Sequence, residues 1–155
     1  MGCRRVIELD ELAVGQELPP LRLPPITRTT LALFAGASGD HNPIHIDIDA
    51  ARAAGHPDVF AHGMLSMAYL GLLLTGDLPQ SRLRDWSVRF SAMTPVHAKV
   101  TCRGVVRDVS GPAGRRGVTV DVTCRLADGT VTLRGTAIFS TDQSAVDATD
   151  TEAGP

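Results

Sequence analysis

Between Gly63 and Thr75 the chain sets Met64, Leu65, Met67, Ala68, Leu70, Leu72, Leu73 and Leu74 in one run that contains no charged residue. Wound into a helix, these positions leave no polar face for water, and a helix that is apolar nearly all round has to be buried. A chain of 155 residues is most simply one domain, so the rest of that domain must do the enclosing. The chain beyond this helix reads as strands. Trp86, Val88 and Phe90 alternate with Ser87, Arg89 and Ser91. Val100, Cys102, Gly104 and Val106 share one parity, as do Val118, Val120, Val122 and Cys124. Asp128-Gly129 is a hairpin turn pair that opens a last strand over 130–141. Residues 110–117 form a longer, glycine-rich loop, and a symmetric hairpin across it brings Cys102 opposite Cys124. The expected class is α+β, with an antiparallel sheet wrapped round the apolar helix. Sequence order alone leaves other α+β folds open.

Upstream, residues 1–8 read as a loose lead-in. Residues 14–23 alternate on either side of Pro19-Pro20, which suits an interrupted strand at a sheet edge. Thr27 is placed to cap a helix over 28–38, with Leu31, Phe34 and Ala35 on its inner face and Gly39 at its end. Asp49 is expected to cap a shorter helix through Ala54, stopped by Gly55. From Asp142 onward the chain is small and polar, so the domain is expected to span 1–141 and a disordered tail 142–155.

Composition narrows the function. A hydrophobic fraction of 43% and a charged fraction of 21% are ordinary for a globular protein, and a net charge of −2 argues against a general nucleic-acid binder. No apolar run reaches the ~18–20 residues that span a bilayer. Arg4 and Arg5 lead into no apolar stretch of the kind a signal peptide needs, so a cytoplasmic protein is expected. Cys3, Cys102 and Cys124 have no metal-ligand spacing and read as small apolar fillers, and no metal is expected. Phosphate-loop, dinucleotide and zinc signatures are missing. Ser66 sits inside the apolar helix without a nucleophile elbow, which speaks against a serine hydrolase. His56 and His97, beside prolines, are taken as surface residues.

Two short segments carry the chemistry. Gly39-Asp40-His41-Asn42-Pro43-Ile44-His45 sets a carboxylate and an imidazole on one loop at a helix exit. Such a pair can exchange protons near neutral pH. Ala61-His62-Gly63-Met64-Leu65-Ser66-Met67 is a small-residue entry into the apolar helix, whose first amides point outward with the positive end of the helix dipole. Taken singly, Asp40 and Asn42 are ordinary turn residues. Together, the two segments resemble the MaoC-like, or hydratase 2, family of hot-dog-fold enzymes over roughly residues 8–141.

The resemblance implies a hot-dog fold and a (3R)-specific enoyl-thioester hydratase, or 3-hydroxyacyl-thioester dehydratase, with Asp40 and His45 as its catalytic dyad. It implies that the Gly63 and Met64 amides bind the thioester carbonyl, that Asn42 orients Asp40 or fixes the loop, and that His62 shapes the site. Leu31, Phe34 and Met67 are core positions that could also line an acyl pocket. The substrate would arrive as a coenzyme A or phosphopantetheine thioester, with no further cofactor, and the chain would work as a homodimer. Arg82, Arg84 and Arg89 around Trp86, and Arg115 and Arg116 on a loop, leave coenzyme A and an acidic acyl carrier protein equally open. The competing readings are a hot-dog thioesterase, disfavoured because 63–75 holds no Asp or Glu, and a non-catalytic acyl-binding subunit of a heterodimeric dehydratase or a thioester-binding regulator.

Overall fold

The structure is a computed structural model that describes residues 7–142. The lead-in before Ile7 and the tail expected after Asp142 lie outside the described residues. Three helices, α1 (Arg28–Ser38), α2 (Ile48–Ala53) and α3 (Gly63–Asp77), accompany five strands. The strands are β1 (Leu21–Arg22), β2 (Leu83–Phe90), β3 (Val100–Ser110), β4 (Gly117–Leu126) and β5 (Val131–Ser140). They form one antiparallel sheet in the order β1-β3-β4-β5-β2. This is the α+β hot-dog arrangement, with the sheet curled round α3.

Burial of α3 organises the core. Leu70, Leu73 and Leu74 are completely buried, and they share a cluster with Val100, Cys102 and Val106 of β3, Val120, Val122 and Cys124 of β4, and Leu133, Ala137 and Phe139 of β5. Trp86 lies against the helix at Gly71, where an added Cβ would sit 3.3 Å from the indole ring. Cys102 does pair with Cys124 across β3 and β4, as free thiols with sulfurs 3.3 Å apart. Their mutual hydrogen bond, and then burial, push the Cys124 thiol far above its usual range.

Local signals place the surrounding elements. Thr27 Oγ1 accepts from the Thr30 amide at the start of α1, and Gly39 closes it in the left-handed region at φ 74°. The segment before α1 pairs in pieces with β3, at the Glu17–Val105 bridge and at β1, with the two prolines between them. Asp128-Gly129 makes the β4–β5 turn, with the Asp128 carboxylate taking the Thr130 amide.

Two expectations need correction. Asp47, not Asp49, caps α2: its carboxylate accepts from the Asp49 and Ala50 amides, and Ile48 is already helical. Asp49 sits in the first turn, where its charge still suits the helix dipole. The helix α3 is also not enclosed on every side. Met64, Ala68 and Leu72 form an open stripe along it, with Met64 54% and Leu72 56% exposed, because the sheet covers the opposite face.

The buried and open sides of α3 differ in what they contribute. Leu73→Ala should destabilise the protein by about 2–5 kcal/mol, read as a lowered urea midpoint with unchanged slope. Leu72→Ala should cost far less in the isolated chain.

Candidate active site

The site grows out of the end of α1. After Gly39 the chain runs through a ladder of side chain to backbone bonds that the sequence of small polar residues makes available. Ser38 Oγ accepts from the Asp40 amide, Asp40 Oδ1 from the Asn42 amide at 3.3 Å, and Asn42 Oδ1 from the Ile44 amide at 3.2 Å. Pro43, which has no N–H to satisfy, then opens a single helical turn over Pro43–His45. His45 closes that turn and is buried, while Asp40 stays exposed. Asn42 therefore fixes the loop through both its side chain and its amide.

A second segment, Phe60–His62, meets this loop. Phe60 bridges to Pro95, and the Ala61 amide donates to the Thr94 carbonyl. His45 Nδ1 donates to the Phe60 carbonyl at 2.8 Å, so the neutral imidazole carries its proton there and leaves Nε2 as a bare lone pair. The His62 ring, 1% exposed, lies 3.9 Å from that of His45 between ring centroids, with Phe34 against it at 5.1 Å. His62 Nε2 bonds the Asp40 carbonyl at 3.1 Å, while its Nδ1 is buried with no hydrogen-bond partner. Burial lowers the His45 pKa first. The neighbouring His62 lowers it further, against the upward pull of the Phe60 carbonyl and of Asp40. Ligand-capable atoms of Asp40, His45 and His62 lie within 4.8 Å of one another. One carboxylate oxygen and two imidazole nitrogens at that separation can grip a single water, and the same set could ligate a divalent transition ion.

The apolar helix starts immediately after His62, and no side chain caps its first turn. Gly63 borders a cavity of about 380 Å³ whose walls include Phe60, Ser66, Phe90, Met93 and Leu133. A methyl group on Gly63 would sit 3.0 Å from the Phe90 ring. Asp40, His45 and Met64 are not in the cavity wall, whereas Phe60 and Ala61, from the segment that bonds His45, are. Of the residues expected to line an acyl pocket, Leu31 is completely buried in the core, Phe34 packs on His62, and Met67 packs against the core cluster. None of the three borders this cavity. Phe60 and Met93 also line a neighbouring cavity of about 250 Å³ with Val59, Pro95 and Val96.

His56 is half-buried against the Phe60 ring, not a free surface residue, whereas His97 is exposed. Arg28, the first residue of α1, clamps this region: it holds Asp58 through both carboxylate oxygens and reaches His97 Nε2 at 3.0 Å. The Val59 amide, with Arg28 behind it, keeps the Asp58 carboxyl below its usual range. Sequence reading missed the Phe60 carbonyl and the Ser66–Thr94 hydroxyl pair beside the cavity, since neither has a spacing signature.

Comparison with known proteins agrees with the fold and the family resemblance. The profile of the MaoC like domain matches residues 12–128. The chain is 32% identical over 146 residues to a UPF0336 protein of Saccharopolyspora erythraea, spanning 83% of this chain and 94% of that protein. It is 33% identical over 118 residues to the (R)-specific enoyl-CoA hydratase of Rhodospirillum rubrum, spanning 72% of this chain and 77% of that protein. Among solved structures, the unliganded R-hydratase PhaJ1 of Pseudomonas aeruginosa superposes with a TM-score of 0.75 at 27% identity, covering 85% of this chain and 84% of that one.

The geometry fixes a tautomer that can be observed directly. Long-range ¹H–¹⁵N NMR should find neutral His45 protonated on Nδ1, and should find the ring charging only below its ordinary pKa of 6.5. A His45 that is protonated on Nε2, or still charged at pH 7, would contradict the arrangement.

Proposed function

We propose that this chain, which belongs to the MaoC-like dehydratase family, is a (3R)-specific enoyl-thioester hydratase and 3-hydroxyacyl-thioester dehydratase. The observation that carries the reading is the gathering of ligand-capable atoms of Asp40, His45 and His62 within 4.8 Å of one another, with the Phe60 carbonyl taking His45 Nδ1 and leaving Nε2 as the basic nitrogen. Hydration needs a nucleophilic water at C3 of the enoyl group and a proton at C2. Water held by this group donates one hydrogen to the Asp40 carboxylate and the other to His45 Nε2. As its oxygen bonds to C3, the second proton passes to Nε2, and the resulting imidazolium gives that proton to C2. Dehydration reverses the order: Nε2 removes the α-proton and returns it to the departing hydroxyl. Asp40 orients the water and steadies the transient imidazolium by its charge, in line with its upward pull on the His45 pKa.

Between these steps the thioester carbonyl carries enolate charge. The uncapped Gly63 and Met64 amides at the head of α3 are the proposed donors to it, and the missing side chain of Gly63 lets the Phe90 ring close against the helix start. His62 and Asn42 hold the dyad in place. No cofactor or metal is assigned a role; the substrate brings its own coenzyme A or phosphopantetheine arm. The R specificity rests on the similarity to the Rhodospirillum rubrum hydratase.

A second copy of the chain completes the proposal. Among the described residues β2 lies at one edge of the sheet, and near its end Phe90 and Met93 are 50% and 56% exposed, with the Phe90 ring against Gly63 at the head of α3. A homodimer joined along this side buries these apolar groups and closes the cavity at Gly63. Leu72→Glu should shift the protein to monomer in sedimentation experiments.

The direct test is hydration of crotonyl-CoA, followed by loss of enoyl absorbance and by the configuration of the product. The (3R)-alcohol is expected, with Asp40→Asn and His45→Ala each slowing turnover by about 10²–10⁴-fold in folded protein. Because protonation removes the Nε2 lone pair, kcat/KM for hydration should hold through neutral pH and fall only below pH 6.5. Failure across a panel of long-chain and carrier-bound thioesters would move the non-catalytic acyl-binding subunit ahead.

A further inference from the structure

Arg28 opens α1 and its side chain is 49% exposed, yet separate parts of the chain meet on its guanidinium. Nη2 donates to both oxygens of Asp58, at 2.8 and 2.6 Å, and Nη1 reaches His97 Nε2 at 3.0 Å. A guanidinium can only donate, so His97 Nε2 accepts and neutral His97 carries its proton on Nδ1. Asp58 Oδ1 also takes the Val59 amide at 2.7 Å, which grips the carboxylate from its own chain as well.

The two partners frame the segment that holds His45. Asp58 lies two residues before Phe60, His97 lies two after Pro95, and Phe60 and Pro95 form an isolated bridge. Pro95 has no amide N–H with which to lengthen that pairing. On the far side of Phe60, the Ala61 amide ties the segments together through the Thr94 carbonyl at 2.8 Å. On the near side, Arg28 joins them through Asp58 and His97. The Phe60 carbonyl that receives His45 Nδ1 sits between these two ties.

His97 shows the constraint in its backbone. At φ 67° it lies in the left-handed region, where among the described residues every other positive φ belongs to glycine. Such a conformation costs energy and persists only where the surroundings enforce it. Here the His97 amide donates to the Ile26 carbonyl at 2.7 Å, two residues before Arg28, while its side chain meets Arg28 itself. An ion pair as exposed as Arg28–Asp58 adds little to global stability, so its value lies in what it aligns.

We propose that Arg28 is a positioning residue for His45: by joining Asp58 to His97 it fixes the Phe60 carbonyl that selects the His45 tautomer. The bonds of its guanidinium go to Asp58 and His97, not to Asp40, His45 or His62, and it lies outside the cavity wall at Gly63. Its effect on His45 therefore passes through the backbone of 58–60. The link to turnover rests on the hydratase reading, whereas the link to the tautomer does not.

Long-range ¹H–¹⁵N NMR of the full-length protein reads the tautomer apart from any chemistry. Wild type should hold neutral His45 protonated on Nδ1, and Arg28→Met should populate the Nε2-protonated form to a comparable extent. Arg28→Lys keeps the charge but lacks the fork for two partners, and should lie between. His97→Gly tolerates the left-handed backbone and removes the imidazole, so it should shift the tautomer in the same direction. Arg107→Met, which breaks the exposed Arg107–Asp121 pair on the sheet, should leave His45 as in wild type. On crotonyl-CoA, Arg28→Met should lower kcat by about 10–10²-fold at nearly unchanged KM. A His45 that keeps its Nδ1 proton in folded Arg28→Met would overturn the proposal, as would an equal tautomer shift in Arg107→Met. Should Arg28→Met not fold, an unchanged tautomer in both Arg28→Lys and His97→Gly would overturn it as well. If the tautomer responds as expected while even wild type turns over no thioester, the hydratase reading falls and the positioning role stands.

Discussion

Everything in this molecule is arranged around the need to keep an apolar helix out of water. The five-stranded sheet can close over only one side of α3, so it fixes which leucines become core and which stay at the surface. The same enclosure fixes where the helix begins. Its uncapped first turn emerges beside the Phe60–His62 segment, where the loop from α1 delivers a carboxylate and an imidazole. The geometry of the candidate site is thus a consequence of how the core is wrapped, with its polar groups gathered at the open mouth of the wrapping.

The electrostatics at that mouth depend on two stacked imidazoles. Burial disfavours charge on His45, and the His62 ring 3.9 Å away between centroids disfavours it further. The backbone carbonyl of Phe60 then decides which nitrogen holds the proton. Asp40, at the exposed side, supplies the counter-charge without being sealed in. The charge and the tautomer of His45 are therefore set by different neighbours.

Much of this was legible in the sequence, for reasons that are local. Thr27 and Gly39 mark the ends of α1 because caps are satisfied by the nearest backbone groups. Cys102 and Cys124 face each other because a two-residue period and a hairpin leave little freedom of register. Asp40 and His45 stood out because a short loop can bring them together whatever surrounds it. The parts that escaped were settled by distant chain. The Phe60 carbonyl has no side-chain signature, the open stripe on α3 depends on where the sheet stops, and the Arg28 clamp requires segments far apart in sequence to meet at one guanidinium. The choice of Asp47 over Asp49 was local but close, since either aspartate could serve as a cap.

Phe60 divides two duties within one residue. Its backbone oxygen fixes the tautomer of His45, while the residue also lines both neighbouring cavities. A substitution there keeps the carbonyl and changes the walls. Because the same ring also meets the His45 ring edge-on at 4.9 Å, a new side chain at this position alters the cavity walls and the packing of His45 together, so in lineages carrying this scaffold the two are inherited as linked traits.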